Sequence, residues 1–307
     1  MAKIQARNVD DALYQRIEAS AMRHERSLEG EIRIALREYY APKEADDAPP
    51  CSLREQWQQQ TGHRLQWLFD RLIADGYLDK WKRERPAGIA DFVRASQQLH
   101  TSPGQLMDLI EGRREMTHGM ADELAKQFSA NSDWLLTGEA SPFSVTRMGS
   151  SGYSEFFLPA DKGEYTFELL RIKQGRHEGT LIILRTRTDT GQTAFGIVTE
   201  AFYLRSGMGG GGHAHLKAFL LFLKTKCAHL PMNTFDFTPP EPDFDFWSVI
   251  GHHHPVWFQD ADLRSTARWL QQVFNGDDPG DWFEGWSSDL NDIAGTPFGG
   301  SAEHDVE

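Results

Sequence analysis

The first 43 residues spell one short strand and two helices, too little chain to fold by itself. Lys3 to Asn8 alternates: Ile4 and Ala6 lie on one side, Lys3, Gln5 and Arg7 on the other. That is the period of a strand with one buried face. Asp10 or Asp11 can cap a helix on which Leu13, Ile17, Ala21 and Met22 recur at helical spacing. Ser27 can cap a second, carrying Leu28, Ile32, Ala35, Leu36 and Tyr39, and Pro42 ends it. So small a segment buries too little apolar surface, and a lone strand leaves its edges unpaired. Pairing two copies through their strands answers both needs. The product is an antiparallel ribbon with Lys3, Gln5 and Arg7 on its open face. A two-stranded ribbon fits the DNA major groove, where Gln and Arg read base edges. The start of the second helix offers backbone N–H groups to a phosphate.

Ile4-Gln5-Ala6-Arg7-Asn8-Val9, then Arg26-Ser27-Leu28-Glu29 and Glu31-Ile32-Arg33, carry a family likeness. Together they resemble the ribbon-helix-helix family of the Arc and MetJ repressors, and in particular FitA-type antitoxin DNA-binding domains. The resemblance implies that Lys3, Gln5 and Arg7 read bases and that Arg26, Ser27 and Leu28 hold the DNA backbone. Glu25 is a departure: relatives usually have Gly before Arg-Ser, and here an acid lies near the expected phosphate.

A linker follows at 41–52, with Pro42, Pro49 and Pro50 among Glu44, Asp46 and Asp47. The block 53–148 reads as all-α. Leu65, Leu68, Phe69, Leu72 and Ile73 mark one helix, ending near Gly76. Ile89, Phe92, Val93 and Leu99 mark a second. Thr101-Ser102-Pro103 starts a third with Leu106, Leu109 and Ile110, and Thr117 caps a fourth. Glu111-Gly112-Arg113-Arg114 and the ending Trp134-Leu135-Leu136-Thr137-Gly138 resemble the Xre/Cro-like helix-turn-helix domains of phage repressors. The likeness implies a recognition helix from Ser102 to Glu111. Ser102, Gln105 and Asp108 would face bases, and Arg113 and Arg114 would neutralise phosphates. The preceding helix, with Ala95, Ser96, Gln97 and Gln98, departs from the family wording.

The block 153–295 reads as α+β. Apolar alternation at Tyr165–Ile172, Thr180–Thr186 and Phe195–Leu204 predicts antiparallel strands. Helices are expected at Leu216–Cys227 and Arg264–Phe274, a break at Ser141–Gly152, a flexible loop at Met208–His213 and a frayed acidic tail at 296–307. Metal ligands would come from His213 and His215 with His252, His253 and His254, were their two loops to meet. No Cys-x-x-Cys or His-Glu-x-x-His accompanies them, so no metal site, cofactor or catalytic residue is assigned.

Taken whole, the formal net charge of −13 argues against generic DNA binding. By segment it does not. Residues 1–43 carry +1, 44–62 carry −3, 63–149 carry −1 and 150–307 carry −10. The acidic C-terminal block should therefore sit away from the phosphates. No apolar run is long enough for a membrane span, the N-terminus lacks an apolar signal core, and Cys51 and Cys227 make no disulfide framework.

The expected protein is multidomain: a ribbon-helix-helix domain at 1–43, a helix-turn-helix bundle at 53–148, and an α+β oligomerisation or sensor domain at 153–295. The expected function is a cytoplasmic, non-enzymatic transcriptional repressor, of phage or mobile-element type. It binds a pseudo-palindromic site on double-stranded DNA as a homodimer or tetramer. A partner protein or small ligand would act at the C-terminal domain. The alternative is an antitoxin that represses its own operon and neutralises a toxin through its C-terminal region. Replacing Arg7 with Ala is expected to weaken operator binding by about 1–3 kcal/mol and relax base preference. Unchanged operator affinity in a gel-shift titration shows that the ribbon does not read that site.

Overall fold

The computed structural model describes residues 9–40, 51–79, 85–149, 152–161, 163–198, 201–241 and 243–299. The strand expected at Lys3–Asn8 and most of the 41–52 linker lie outside these residues. The chain divides into two compact units, Met1–Ser52 and Leu53–Glu307. The stretches 53–148 and 153–295, read as separate blocks, share the second unit.

In the first unit, α1 (Asp11–Arg23) and α2 (Leu28–Tyr40) form a helical hairpin. Asp10 Oδ1 accepts from Leu13 N at 2.9 Å, and Ser27 Oγ accepts from Gly30 N at 3.1 Å. Both helices therefore start on a side-chain oxygen, as a capping residue should supply. Among the described residues of this unit, only Ala21 is buried. Leu13, Ile32 and Met22, read as inward positions, are exposed.

The second unit opens with α3 (Leu53–Ala74), α4 (Ile89–Gln98), α5 (Pro103–Ile110), α6 (His118–Phe128) and α7 (Ser132–Thr137). Leu65, Leu68, Phe69, Leu72 and Ile73 on α3 are fully buried at the centre of this bundle. The helix begins well before Leu65. On that early part, Gly62 lets α5 approach: a Cβ there would stand 2.4 Å from the Ile110 carbonyl oxygen. Arg64 Nε donates to the Leu135 carbonyl and Nη2 to that of Leu136, at 2.9 and 3.0 Å. Trp57 Nε1 also reaches Leu136 O. These donors satisfy carbonyls that the end of α7 leaves unpaired. Arg85, the described member of the Lys80–Arg85 cluster, makes a two-pronged pair with Asp91 and so fixes the start of α4.

The remaining elements are β1 (Val145–Met148), α8 (Tyr153–Phe157), β2 (Tyr165–Ile172), β3 (Leu181–Arg187), β4 (Thr193–Val198), α9 (Gly210–Lys226), β5 (Met232–Phe237), α10 (Phe246–Val249), β6 (Arg264–Ala267), α11 (Trp269–Asn275) and α12 (Ser287–Gly295), with a 3-10 turn at Pro255–Gln259. The strands form one mixed sheet in the order β1-β4-β3-β2-β5-β6. β2, β3 and β4 are antiparallel neighbours, whereas β1 runs parallel to β4 and β5 parallel to β2. Phe167, Leu169, Leu181 and Ile183 face α8, α9, α11 and α12. Leu170, Ile172, Ile182 and Leu184 face Phe246, Ile250 and Phe258. Both faces are covered, so the central strands read as near-continuous apolar runs.

Several expectations change here. The break at 141–152 contains β1, whose polar Thr146 and Arg147 lie at a sheet edge and give little apolar signal. The strand expected at Phe195–Leu204 ends at Val198. The Met208–His213 loop is the entry to α9, with Gly209 as N-cap. Glycine is tolerated there because Gly210 backs onto the Trp286 ring, 3.0 Å from where a Cβ would stand. The helix expected at Arg264–Phe274 splits into β6 and α11. Pairing of Arg264–Ala267 with β5 supplies ladder hydrogen bonds that a helix would forgo. The tail is docked as far as Gly299. Gly299 N bonds Lys224 O, and Phe298 packs edge-on against Phe274 at 5.6 Å. The rest of the tail lies outside the described residues.

One buried carboxylate ties the bundle to the sheet. Asp75, just past α3 and 1% exposed, accepts from His253 Nδ1 and His254 N, both at 2.7 Å. Arg71 Nη1 approaches His253 Nε2 at 3.5 Å, which fits Nδ1 as the protonated nitrogen. Phe143 N bonds Gly251 O, and Thr193 N bonds Ser129 Oγ. His254 is 2% exposed, its ring 4.4 Å from that of Tyr77. Its Nδ1 accepts from Val256 N at 3.1 Å.

Burial pushes the His254 pKa down to about 3. The folded chain therefore keeps this ring neutral, while the unfolded chain protonates it near about 6.5. Its contribution to stability is complete above that pH and erodes as pH falls from there toward about 3. Urea midpoints taken between pH 7.5 and pH 4.5, in steps of about half a unit, should fall with acid. In His254→Asn, which keeps an acceptor for Val256 N, they should fall less steeply. Equal slopes in the two proteins would assign the acid sensitivity to other groups.

Candidate nucleic-acid interface

The corner between α1 and α2 carries three of the predicted contacts. Arg26 N bonds Ala21 O and Glu25 N bonds Met22 O, the paired bonds of a Schellman ending. That ending puts Glu25 in the left-handed region, at φ 52°. Glycine adopts this conformation without strain, in line with the Gly that the ribbon-helix-helix resemblance implies at this position. Ser27 then caps α2, and Leu28 opens it, half-buried.

Glu31 holds this corner. Its Oε1 accepts from Ser20 Oγ at 2.7 Å and pairs with His24 Nδ1 at 2.9 Å, while Oε2 faces Arg26 Nη1 at 3.4 Å. The Ser20 hydrogen bond first, and then that of His24, hold its pKa below the usual carboxylate range. Glu31 thus positions Arg26, which remains 44% exposed. Helical spacing alone does not reveal this role, since Ser20 and Glu31 lie on different helices. Lys3, Gln5 and Arg7 lie outside the described residues.

In the second unit, α4 and α5 are joined by a four-residue turn, Leu99 to Ser102. Here too a Schellman ending appears: Thr101 N bonds Ser96 O, His100 N bonds Gln97 O, and His100 takes φ 50°. Leu99 is buried beneath the turn. Ser102 Oγ accepts from Gln105 N at 3.2 Å, so this predicted base reader is also the N-cap of α5. Gln105 is exposed, its Oε1 accepting from Thr101 Oγ1 at 2.8 Å. Its amide N–H groups are the outward donors.

Asp108 lies further along α5, with 3.8 Å between its Oδ1 and Arg113 Nη1. Arg113 also pairs with Glu111. Arg114 is exposed and shows no ion pair among the described residues. The structure brings Ser102 and Gln105 together at one end of α5, and Asp108, Arg113 and Arg114 at the other. Surface ion pairs are weak, about 0–1 kcal/mol, so Arg113 can exchange carboxylates for phosphates at small cost.

The histidines considered as metal ligands are not gathered. His213 is buried on α9, its ring stacked 4.7 Å from Trp286. His253 and His254 lie at the Asp75 junction. Among the described residues, no group of three His, Cys, Asp or Glu side chains is placed to hold a metal. Cys227 is fully buried, and burial pushes its thiol up to about 12, which makes it an inert core side chain. No helix of the described residues is long and apolar enough to cross a membrane.

Residues 2–40 match the family model of FitA-like antitoxin ribbon-helix-helix domains. The match supports the N-terminal likeness and covers that segment alone. Ribbon-helix-helix antitoxin domains bind DNA and dimerise. No curated protein and no solved structure matches the chain significantly.

Replacing Glu25 with Gly should raise the stability of this unit by about 1 kcal/mol, by relieving the left-handed backbone. It should also tighten DNA binding by removing a carboxylate beside the expected phosphate. Denaturant melts of the two proteins test the first effect and gel-shift titration the second. A less stable variant would locate the strain elsewhere.

Proposed function

We propose that the protein is a sequence-specific DNA-binding repressor that acts as a dimer or higher oligomer on a pseudo-palindromic operator. One observation carries this reading. A segment matched to DNA-binding ribbon-helix-helix domains has, among its described residues, a single buried side chain and exposed Leu13, Tyr14, Met22 and Ile32. Such a segment lacks a core until a second copy supplies one. A paired ribbon would present Lys3, Gln5 and Arg7 to the major groove, with Arg26 and the start of α2 on the phosphates.

The pair α4–α5 is a second reading head in this proposal. Its short turn and the exposed end of α5 support that role. Ser102 and Gln105 would meet base edges, with Asp108 beside them, and Arg113 and Arg114 would meet phosphates. Repression follows from occupancy of the operator, and the reading involves no catalytic step, metal or cofactor. The sheet region would add oligomer contacts or sense a partner or ligand. The match to antitoxin domains favours a second reading, in which the protein represses its own operon and neutralises a toxin through its C-terminal region.

Footprinting on the DNA upstream of its own gene tests the proposal. The full chain should protect two symmetric half-sites. Deletion of residues 1–43 should give a weaker or monomeric binder that still folds, since the second unit has cores of its own. Absence of protection by the full chain overturns it, and an intact dimer after the deletion shows that dimerisation lies outside the ribbon. A toxin that co-purifies with the chain decides for the antitoxin reading.

A further inference from the structure

The −10 charge of residues 150–307 hides a local exception. Two adjoining hollows, of about 300 and 250 Å³, open beside the β2–β3 turn and share Arg176 and His177 as lining. The larger stands at the lower end of the size range of small-ligand sites, roughly 300–1,000 Å³, and the smaller falls just below it. Arg205, Tyr203, Thr180, Trp247 and the carboxylate Glu178 complete the smaller one. Arg147, on β1, lies with its guanidinium 5.6 Å from the Trp247 ring, and that of Arg205 lies 5.2 Å from the Tyr203 ring.

The charges here are arranged unevenly. Arg147, Arg176 and Arg205 are exposed and show no ion pair among the described residues. Two nearby carboxylates, Glu178 and Asp245, have cationic or backbone partners. Glu178 faces Arg171 Nη2 at 3.6 Å. Asp245 caps α10 through Trp247 N and faces His177 Nε2 at 3.5 Å. His177 Nε2 is buried and has no hydrogen-bond partner at that separation. Trp247 remains 42% exposed although its neighbour Phe246 is fully buried. Glu241 lines the far side of the larger hollow.

Guanidinium groups grip phosphate through paired N–H donors, and exposed aromatic faces take flat rings by stacking. We propose that this double hollow is a nucleotide site. The phosphate would lie between Arg176 and Arg205, within reach of Arg147, and the base would lie against Trp247 or Tyr203. Glu241 is placed to accept a ribose or base N–H or O–H donor. The inference goes beyond the DNA-binding reading and does not depend on it, because nucleotide binding is measured without DNA.

Isothermal titration calorimetry of the full chain with AMP and with GMP tests the site. At least one should bind saturably, with a dissociation constant of about 1 mM or tighter. The matching nucleoside should bind at least about tenfold more weakly, because it lacks the charged group that the arginines hold. Arg176→Ala with Arg205→Ala should lower affinity by about tenfold or more, and Trp247→Ala should lower it too. Unchanged far-ultraviolet circular dichroism of these surface variants would tie the loss to the site. The proposal is overturned if neither nucleotide binds saturably, if nucleoside and nucleotide bind alike, or if the double arginine variant binds as the parent does.

Discussion

The carboxylate of Asp75 joins the two halves of the larger unit. It stands just past the C-terminus of α3, where the helix dipole disfavours negative charge, and it is 1% exposed. A buried carboxylate without partners would be costly. Here His253 Nδ1 and the His254 amide both donate to it at 2.7 Å. The donors come from a segment 178 residues further along the chain. That bond holds the 3-10 turn at Pro255–Gln259 against the bundle and carries His254 into contact with Tyr77 and Phe143. Beyond it lies Phe258, which closes one face of the sheet. The rest of the unit is arranged around this junction, so the bundle and the sheet are not independent beads on a string.

The N-terminal unit follows the opposite logic. Its helices start on well-formed caps and turn through a Schellman corner braced by Glu31, yet they enclose almost nothing. Local structure is thus specified in the segment, and in the proposed dimer its core comes from association. This division suits a module whose partner is another copy of itself. It also explains why a lone carboxylate, Glu31, matters so much to the corner. With little apolar burial available, hydrogen bonds between α1 and α2 set their relation.

Much of this was legible in the residues. Asp10, Ser27, Ser102 and Thr117 were read as caps, and each accepts from the amide three residues on. Tyr165–Ile172 forms β2, as the apolar alternation along it predicts. Other features left weak signals. β1 is four residues long with two exposed side chains, so it reads as linker. Arg264–Ala267 has no strand pattern of its own and becomes β6 because β5 offers an unpaired edge. The glycines that open α9 read as a loop because the Trp286 ring that backs onto Gly210 lies 76 residues away. The Arg147, Arg176, Arg205 and Trp247 cluster was equally hidden, since its members come from four separate stretches of chain.

By itself the sequence determined the local grammar. It set the caps at Ser27, Ser102 and Thr117, the central strand Tyr165–Ile172, and that the negative charge gathers toward the C-terminus. Those properties depend on neighbours a few residues apart or on composition, which a linear text preserves. The tertiary structure alone decided that the bundle and sheet form one unit and that β1 and β5 join the sheet in parallel. It also decided that Asp75 finds two donors near residue 253, and that Arg147 meets Trp247 beside a hollow lined by Arg176 and Arg205. Each of these depends on groups distant in the chain meeting in a buried or shared space, and no period or spacing in the sequence records such a meeting.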